Sequence, residues 1–306
     1  MRISNPRLGL RGRGESGMAR RPAVAGMFYE GDEVSLRESI ESCFTGRFGP
    51  GRLPLAPSPP PPLGARHVVG LVCPHAGYVY SGGAAAHSFA ALAEDGLPDV
   101  AVILGPNHHG LGDAVAVSMD EKWATPLGEV QLDLATARAI VESSVYARED
   151  ELAHLREHSL EVQVPFLQYL GGESVKIVPI AIAHLGESAA RLLVSDLGSA
   201  IAKALAGKSA VVIASTDFTH YESKASAEAK DSLALDRITD LDPMGLLRVV
   251  EEKSISMCGA TGTAVMLEAC KALGATSART LAYYTSGDVI GDTRQVVGYA
   301  AVAVEK

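Results

Sequence analysis

Short runs of branched apolar residues alternate with longer amphipathic stretches along most of the chain. "HVVGLVC" (residues 67–73), "DVAVILG" (99–105), "VKIVPIAI" (175–182) and "SAVVIAS" (209–215) lack the polar alternation of a half-exposed strand, so they predict strands buried on both faces. Two closing strands follow in "RTLAYYT" and "QVVGYAAVAV". "AVAVS" and "EVQLD" read as shorter strands flanking a turn at Pro126. Helical periodicity predicts helices over residues 33–44, behind Ser81 as N-cap in "SGGAAAHSFAALAED", over 157–170 with a kink at Pro165, and over "ESAARLLVSDLGSAIAKALAG". Two more cover residues 223–252, and another covers 262–273. Strands alternating with helices point to a single-domain three-layer α/β/α sandwich with a mixed, mostly parallel central sheet.

Two segments break the pattern. Residues 1–21 carry six arginines against Glu15, a net charge of +5, with no apolar core of the kind a secretory signal needs. Residues 1–20 are therefore expected to be a basic, flexible tail, with Met1 and Met18 both possible starts of translation and residues 21–306 forming the domain. The proline-dense stretch 54–64 predicts a stiff, extended loop. The chain shows no internal repeat.

Composition narrows the partners. Across 306 residues, 36 acidic side chains outnumber 27 Lys and Arg, giving a net charge of −9 that argues against nucleic acid. No apolar run approaches the roughly 20 residues of a membrane span. Four irregularly spaced cysteines fit a reducing, cytoplasmic setting rather than a disulfide framework.

Three of the apolar runs end in polar clusters: Pro74-His75-Ala76-Gly77-Tyr78, Pro106-Asn107-His108-His109, and Thr216-Asp217-Phe218-Thr219-His220. Sites in open α/β sheets form beyond the carboxyl ends of strands, so parallel neighbours would bring all three to one rim. Gly77, Gly82, Gly83, Gly105 and Pro106 suit the tight turns this needs. Cys258, just before a helix start near Thr261, is expected to have a lowered thiol pKa. Imidazoles with one thiolate suit Fe(II), Zn or Cu. Of the adjacent His108 and His109, only one is expected to face an ion. Glu157, His158 and Glu161 share one helix face if that segment is helical. The lone Trp123 either lines the site or anchors a turn. Cys43, Cys73 and Cys270, like His67, His87, His154 and His184, read as structural. The glycine-rich "GATGTAV" lacks the lysine of a phosphate loop.

Taken together, "RRPAVAGMFYEGD", "PHAGYVYSG", "ILGPNHHG", "WATPLGEV", "EHSLEVQVPFLQ", "STDFTHY", "MCGATGTAV" and "VVGYAAVAV" resemble the Memo family, also called AmmeMemoRadiSam system protein B, from about Arg21 onward. The resemblance implies a fold similar to class III extradiol non-heme iron dioxygenases. It implies His75, His108 and Cys258 as ligands of a mononuclear metal, Cys258 standing where those dioxygenases have a glutamate. Iron (Fe2+) is the implied cofactor, with copper or zinc as alternatives. His220 would be the general base and Asp217 would line the pocket, with His109, His158, Glu161, Tyr78 and Trp123 as further candidates for its wall. Three functions stay open: a metal-dependent redox enzyme, a metal-independent thiol hydrolase built on Cys258, His220 and Asp217, and a non-catalytic binding or adaptor module. Implied partners are a small-molecule or peptide ligand and, from the family name, AMMECR1-like and radical SAM proteins.

Overall fold

In the computed structural model, which describes residues 19–54 and 66–306, the four buried runs become β1 (Val68–Cys73), β2 (Val100–Pro106), β7 (Lys176–Ile182) and β8 (Ala210–Ser215). They lie side by side in the order β1-β8-β2-β7, all parallel. Antiparallel strands extend this centre. On one side β11 (Val296–Glu305) pairs with β1 and then with β10 (Ser277–Thr285). On the other, β3 (Val115–Val117) pairs antiparallel with β7 and parallel with β6 (Arg148–Glu149). β9 (His220–Glu222) adds to β11, completing a nine-stranded mixed sheet.

Successive residues of the central strands serve opposite faces. Val69, Val72, Val102, Leu104 and Val212 join a core beneath α3 (Leu134–Ser143), α5 (Glu187–Leu205), α6 (Lys224–Thr239), α7 (Pro243–Glu252) and α8 (Ala260–Ala272). Leu71, Cys73, Ile103, Val211 and Ile213 join a second core beneath α1 (Glu33–Thr45), α2 (Tyr78–Glu94) and α4 (Val164–Gly171). Covering both faces removes these side chains from water, at about 1.5–3 kcal/mol for each buried Val or Leu. The three-layer α/β/α sandwich follows.

Several local expectations are corrected. Helix α2 starts at Tyr78 with Gly77 as N-cap, and Ser81 lies inside it, its hydroxyl donating to the Ala76 carbonyl at 2.9 Å. Pro165 kinks nothing; it occupies the first turn of α4, where its missing N–H is unneeded. Residues 157–158 are irregular and 159–160 form a turn, followed by a short 3-10 segment at Glu161–Gln163. "AVAVS" does not flank the Pro126 turn: it supplies β3 to the main sheet, and the hairpin around Pro126 is β4 (Lys122–Thr125) with β5 (Gly128–Gln131).

Arg20, counted above with the tail, belongs to the fold. It is 7% exposed, and its backbone bonds to Lys122 and Ala124. Its guanidinium donates to Glu161 Oε2 at 2.6 Å and to the carbonyls of His154 and Glu157 at 2.8 and 2.9 Å, while lying over the Trp123 ring. Residues 1–18 of the basic tail, and residues 55–65 with most of the proline-rich loop, lie outside the described residues. No described helix is long and apolar enough to cross a membrane.

Candidate metal centre

The parallel register puts the ends of β1, β8 and β2 level, with Cys73 beside Ser215 and Leu104 beside Ala214. The chain leaves these strands as Pro74-His75, Thr216-Asp217 and Asn107-His108. Cys258 arrives on the loop before α8. Two glycines permit the close approach: a Cβ at Gly259 would lie 2.6 Å from the Ser215 carbonyl oxygen, and one at Gly105 would lie 2.7 Å from Ser159 Oγ.

One ring nitrogen of His75, one of His108, and Cys258 Sγ all lie within 4.8 Å of one another, with His75 Nε2 and Sγ 3.2 Å apart. Donors about 2.0–2.3 Å from a shared ion stand at comparable separations, so small side-chain rotations suffice.

Each imidazole is oriented by what its other nitrogen bonds. Ser215 Oγ donates to the Ser159 carbonyl at 2.6 Å, so toward His75 Nδ1, 3.0 Å away, it can only accept. Nδ1 of His75 therefore carries the proton, and Nε2 presents its lone pair to the cluster. Gln163 secures Ser215, its Nε2 donating to Ser215 Oγ at 2.8 Å and to the Pro74 carbonyl at 2.9 Å. His108 is held likewise: its Nδ1 lies 2.9 Å from Glu157 Oε1, and its backbone N–H donates to Oε2 at 2.7 Å. Burial opposes charge on Glu157, but the hydrogen bond from His108 and its neighbours outweigh burial and hold the carboxyl well below the usual range. A carboxylate only accepts, so Nδ1 of His108 carries a proton and Nε2 is the nitrogen left to ligate.

His108, Glu157 and His158 form an overlapping group of possible ligands. Glu157 already accepts from the backbone N–H groups of His158 and Ser159 as well as from His108, which fills the acceptor capacity of a carboxylate. It is better placed to hold a ligand than to be one. The His158 ring stacks on His108 with centroids 4.6 Å apart, packs against Phe28, and has its pKa lowered by burial to about 4, so it is neutral.

The thiol differs from expectation. Burial, with the Asp217 charge adding, pushes Cys258 up to about 12, whereas position before a helix predicts the opposite. The compensating contact is a 3.2 Å hydrogen bond from the Asp217 backbone N–H to Sγ. Burial also pushes the Asp217 carboxyl up to about 6.

Asp217 does not orient His220. Its Oδ1 accepts from the His75 backbone N–H at 2.8 Å, fastening the turn after β1. The His220 ring is set by the Ser256 carbonyl, 2.9 Å from Nδ1, which leaves Nε2 without a hydrogen-bond partner among the described residues.

The remaining candidates scatter. His109 turns to the Arg156 carbonyl at the surface. Tyr78 donates to the Val162 carbonyl at 2.7 Å and lines a separate groove beside α1. Glu161 is consumed by Arg20, Tyr29 and the N–H groups of Ala23 and Val24. Trp123 is buried under Arg20, beside His154. Sequence reading missed Ser215, Gln163 and Ser256 as ring-orienting groups; only the first, ending its strand two residues before Asp217, left any trace in the pattern.

The family model for Memo-like proteins matches residues 20–303. A MEMO1 family protein of Methanopyrus kandleri is 48% identical over 291 residues, covering 94% of this chain and 100% of the relative. One from Methanothermobacter thermautotrophicus is 47% identical over 285 residues, covering 92% and 99%. One from Nitrosopumilus maritimus is 40% identical, covering 93% and 99%.

Proposed function

The chain belongs to the Memo-like family, and from that membership and the geometry above we propose that His75, His108 and Cys258 hold a single metal ion in a redox enzyme, Fe(II) foremost, with copper or zinc as alternatives. One observation carries the reading: both imidazoles have their Nδ1 atoms committed elsewhere, which leaves the two Nε2 atoms to meet one sulfur. Two nitrogens and a soft sulfur suit all three metals, and iron accords with the resemblance to the extradiol enzymes. Such an ion would supply open coordination positions and one-electron chemistry. The chain's part is to keep both rings aimed, to give up the Cys258 proton on ligation, and to offer His220 Nε2 to a proton of the bound molecule.

A thiol hydrolase fits less well. The imidazole at hydrogen-bond distance from Cys258 is that of His75, and Asp217 bonds the backbone rather than His220. A thiol pushed to about 12 is a poor nucleophile without a metal. AMMECR1-like and radical SAM partners rest on the family name alone.

The test is metal content after anaerobic, tag-free purification. About one iron or copper per chain is expected, falling to background in His75→Ala, His108→Ala and Cys258→Ser. A native protein that cannot be loaded with any of the three metals sinks the proposal. Binding should also release a proton, because the thiol is protonated at neutral pH in the empty site and must ionise to ligate. Affinity then rises about tenfold per pH unit across the neutral range. Calorimetry in buffers of different ionisation enthalpy measures it; a flat profile in the native protein would exclude the thiol as a ligand.

A further inference from the structure

A cavity of about 600 Å³ opens directly on His108 and Cys258. It runs between the end of β7, the start of α5, the end of α7 and the loop carrying Cys258. Its size is that of a pocket for a small organic molecule. Ile182, Leu185, Leu247, Val250, Ile255 and Met257 form much of its wall.

The charges on it have one sign. Glu187 and Glu251 line the cavity, and among the described residues no Lys or Arg does. Two cations come near through hydrogen bonds, and both are already paired. Arg191 lies 2.5 Å from Glu187, leaving that carboxylate its second oxygen. Lys230, which donates to the Ser254 carbonyl, lies 2.6 Å from Glu222. Glu251 is exposed. Away from the ion itself, a carboxylate or phosphate against this wall would lose water without gaining a free cation, and it would approach the Glu251 charge. An apolar body would gain the wall, and an ammonium group would gain Glu251 at the rim.

We infer that this cavity is the binding site for an uncharged or ammonium-bearing, largely apolar small molecule whose single donor atom reaches the metal, and that its wall discriminates against an anionic group carried away from that donor. The inference rests on the metal reading only for the donor atom; the charge selection belongs to the wall.

The probes are 4-phenylimidazole and its para-aminomethyl and para-carboxylate derivatives. Titrated into the Co(II)-loaded protein and followed by the visible cobalt spectrum, the neutral and ammonium compounds should bind at least about tenfold more tightly than the carboxylate. Glu251→Gln should remove any advantage of the ammonium compound over the neutral one. Val250→Lys, at a partly exposed wall position, should bring the carboxylate level with the neutral compound. The same three compounds are tested on the metal-free protein by ligand-observed NMR. The same order at weaker affinity is expected, and it would uphold the cavity even if cobalt failed to bind and the metal reading fell. A carboxylate that binds as tightly as the others, in either form of the protein, or affinities unmoved by both variants, would overturn the inference.

Discussion

Arg20→Ala should destabilise the protein by about 3–5 kcal/mol, the usual effect of removing one partner from a buried ion pair, and lower the melting temperature by about 10 °C. The guanidinium and the Glu161 carboxylate are 3% and 1% exposed, so neither finds water when the other is removed. Arg20 also satisfies the carbonyls of His154 and Glu157 and covers Trp123. Arg20→Lys keeps the charge but not the planar fork, and its single ammonium cannot face three acceptors in different directions. It should lose about half as much. Chemical denaturation of the metal-free proteins measures both, and an Arg20→Ala loss below about 1 kcal/mol, the range of an exposed pair, would show that the contact is not a buried anchor.

Glu157→Gln should weaken metal binding by about 10–100-fold, the range for losing a group that orients a ligating histidine. The change is nearly isosteric, yet it replaces one acceptor oxygen with an NH2 donor among four N–H groups. If the amide oxygen stays on His108 Nδ1, the new donor faces the His108 backbone N–H across a former 2.7 Å hydrogen bond. If the amide flips, it faces Nδ1 instead and drives His108 to the tautomer whose Nε2 bears a proton. Either arrangement disturbs the ring that meets the ion. Competition against a chromophoric chelator reads the affinity, with His109→Ala, whose ring turns away to Arg156, as the control expected to stay within about twofold. Equal losses in both variants would mean that Glu157 acts through general stability and not through His108.

The sheet and three of its strand ends were legible in the sequence because valine-rich runs bounded by Pro74, Pro106 and Thr216 admit few alternatives to buried parallel strands. His75, His108 and Asp217 therefore met at one rim as the pattern implied. The groups that fix the rings were not legible. Ser215 and His75 are 140 residues apart, and Glu157 and His108 are 49 apart, so no periodicity links them. Reading residues 157–170 as one kinked helix put Glu157, His158 and Glu161 on a common face; as irregular chain, turn and 3-10 segment, they send Glu157 to His108 and Glu161 to Arg20. The misjudged Cys258 thiol has a plainer cause: the sequence shows the helix start but not the depth of burial, and burial is the larger influence.

The placement of β11 has a consequence for biosynthesis. It sits between β10 and β1, and its Glu305 end pairs with Val68, about 240 residues earlier in the chain. At about 5–20 residues per second, β1 waits roughly 12–50 s on the ribosome before its flank can be covered. Throughout that interval the nascent chain carries an unpaired, wholly apolar strand edge, the kind of surface that invites pairing with other chains. Yield in a cell should therefore depend on holding factors that shield the segment carrying β1 until β11 has emerged, and slow translation between β1 and β11 should favour aggregation over function.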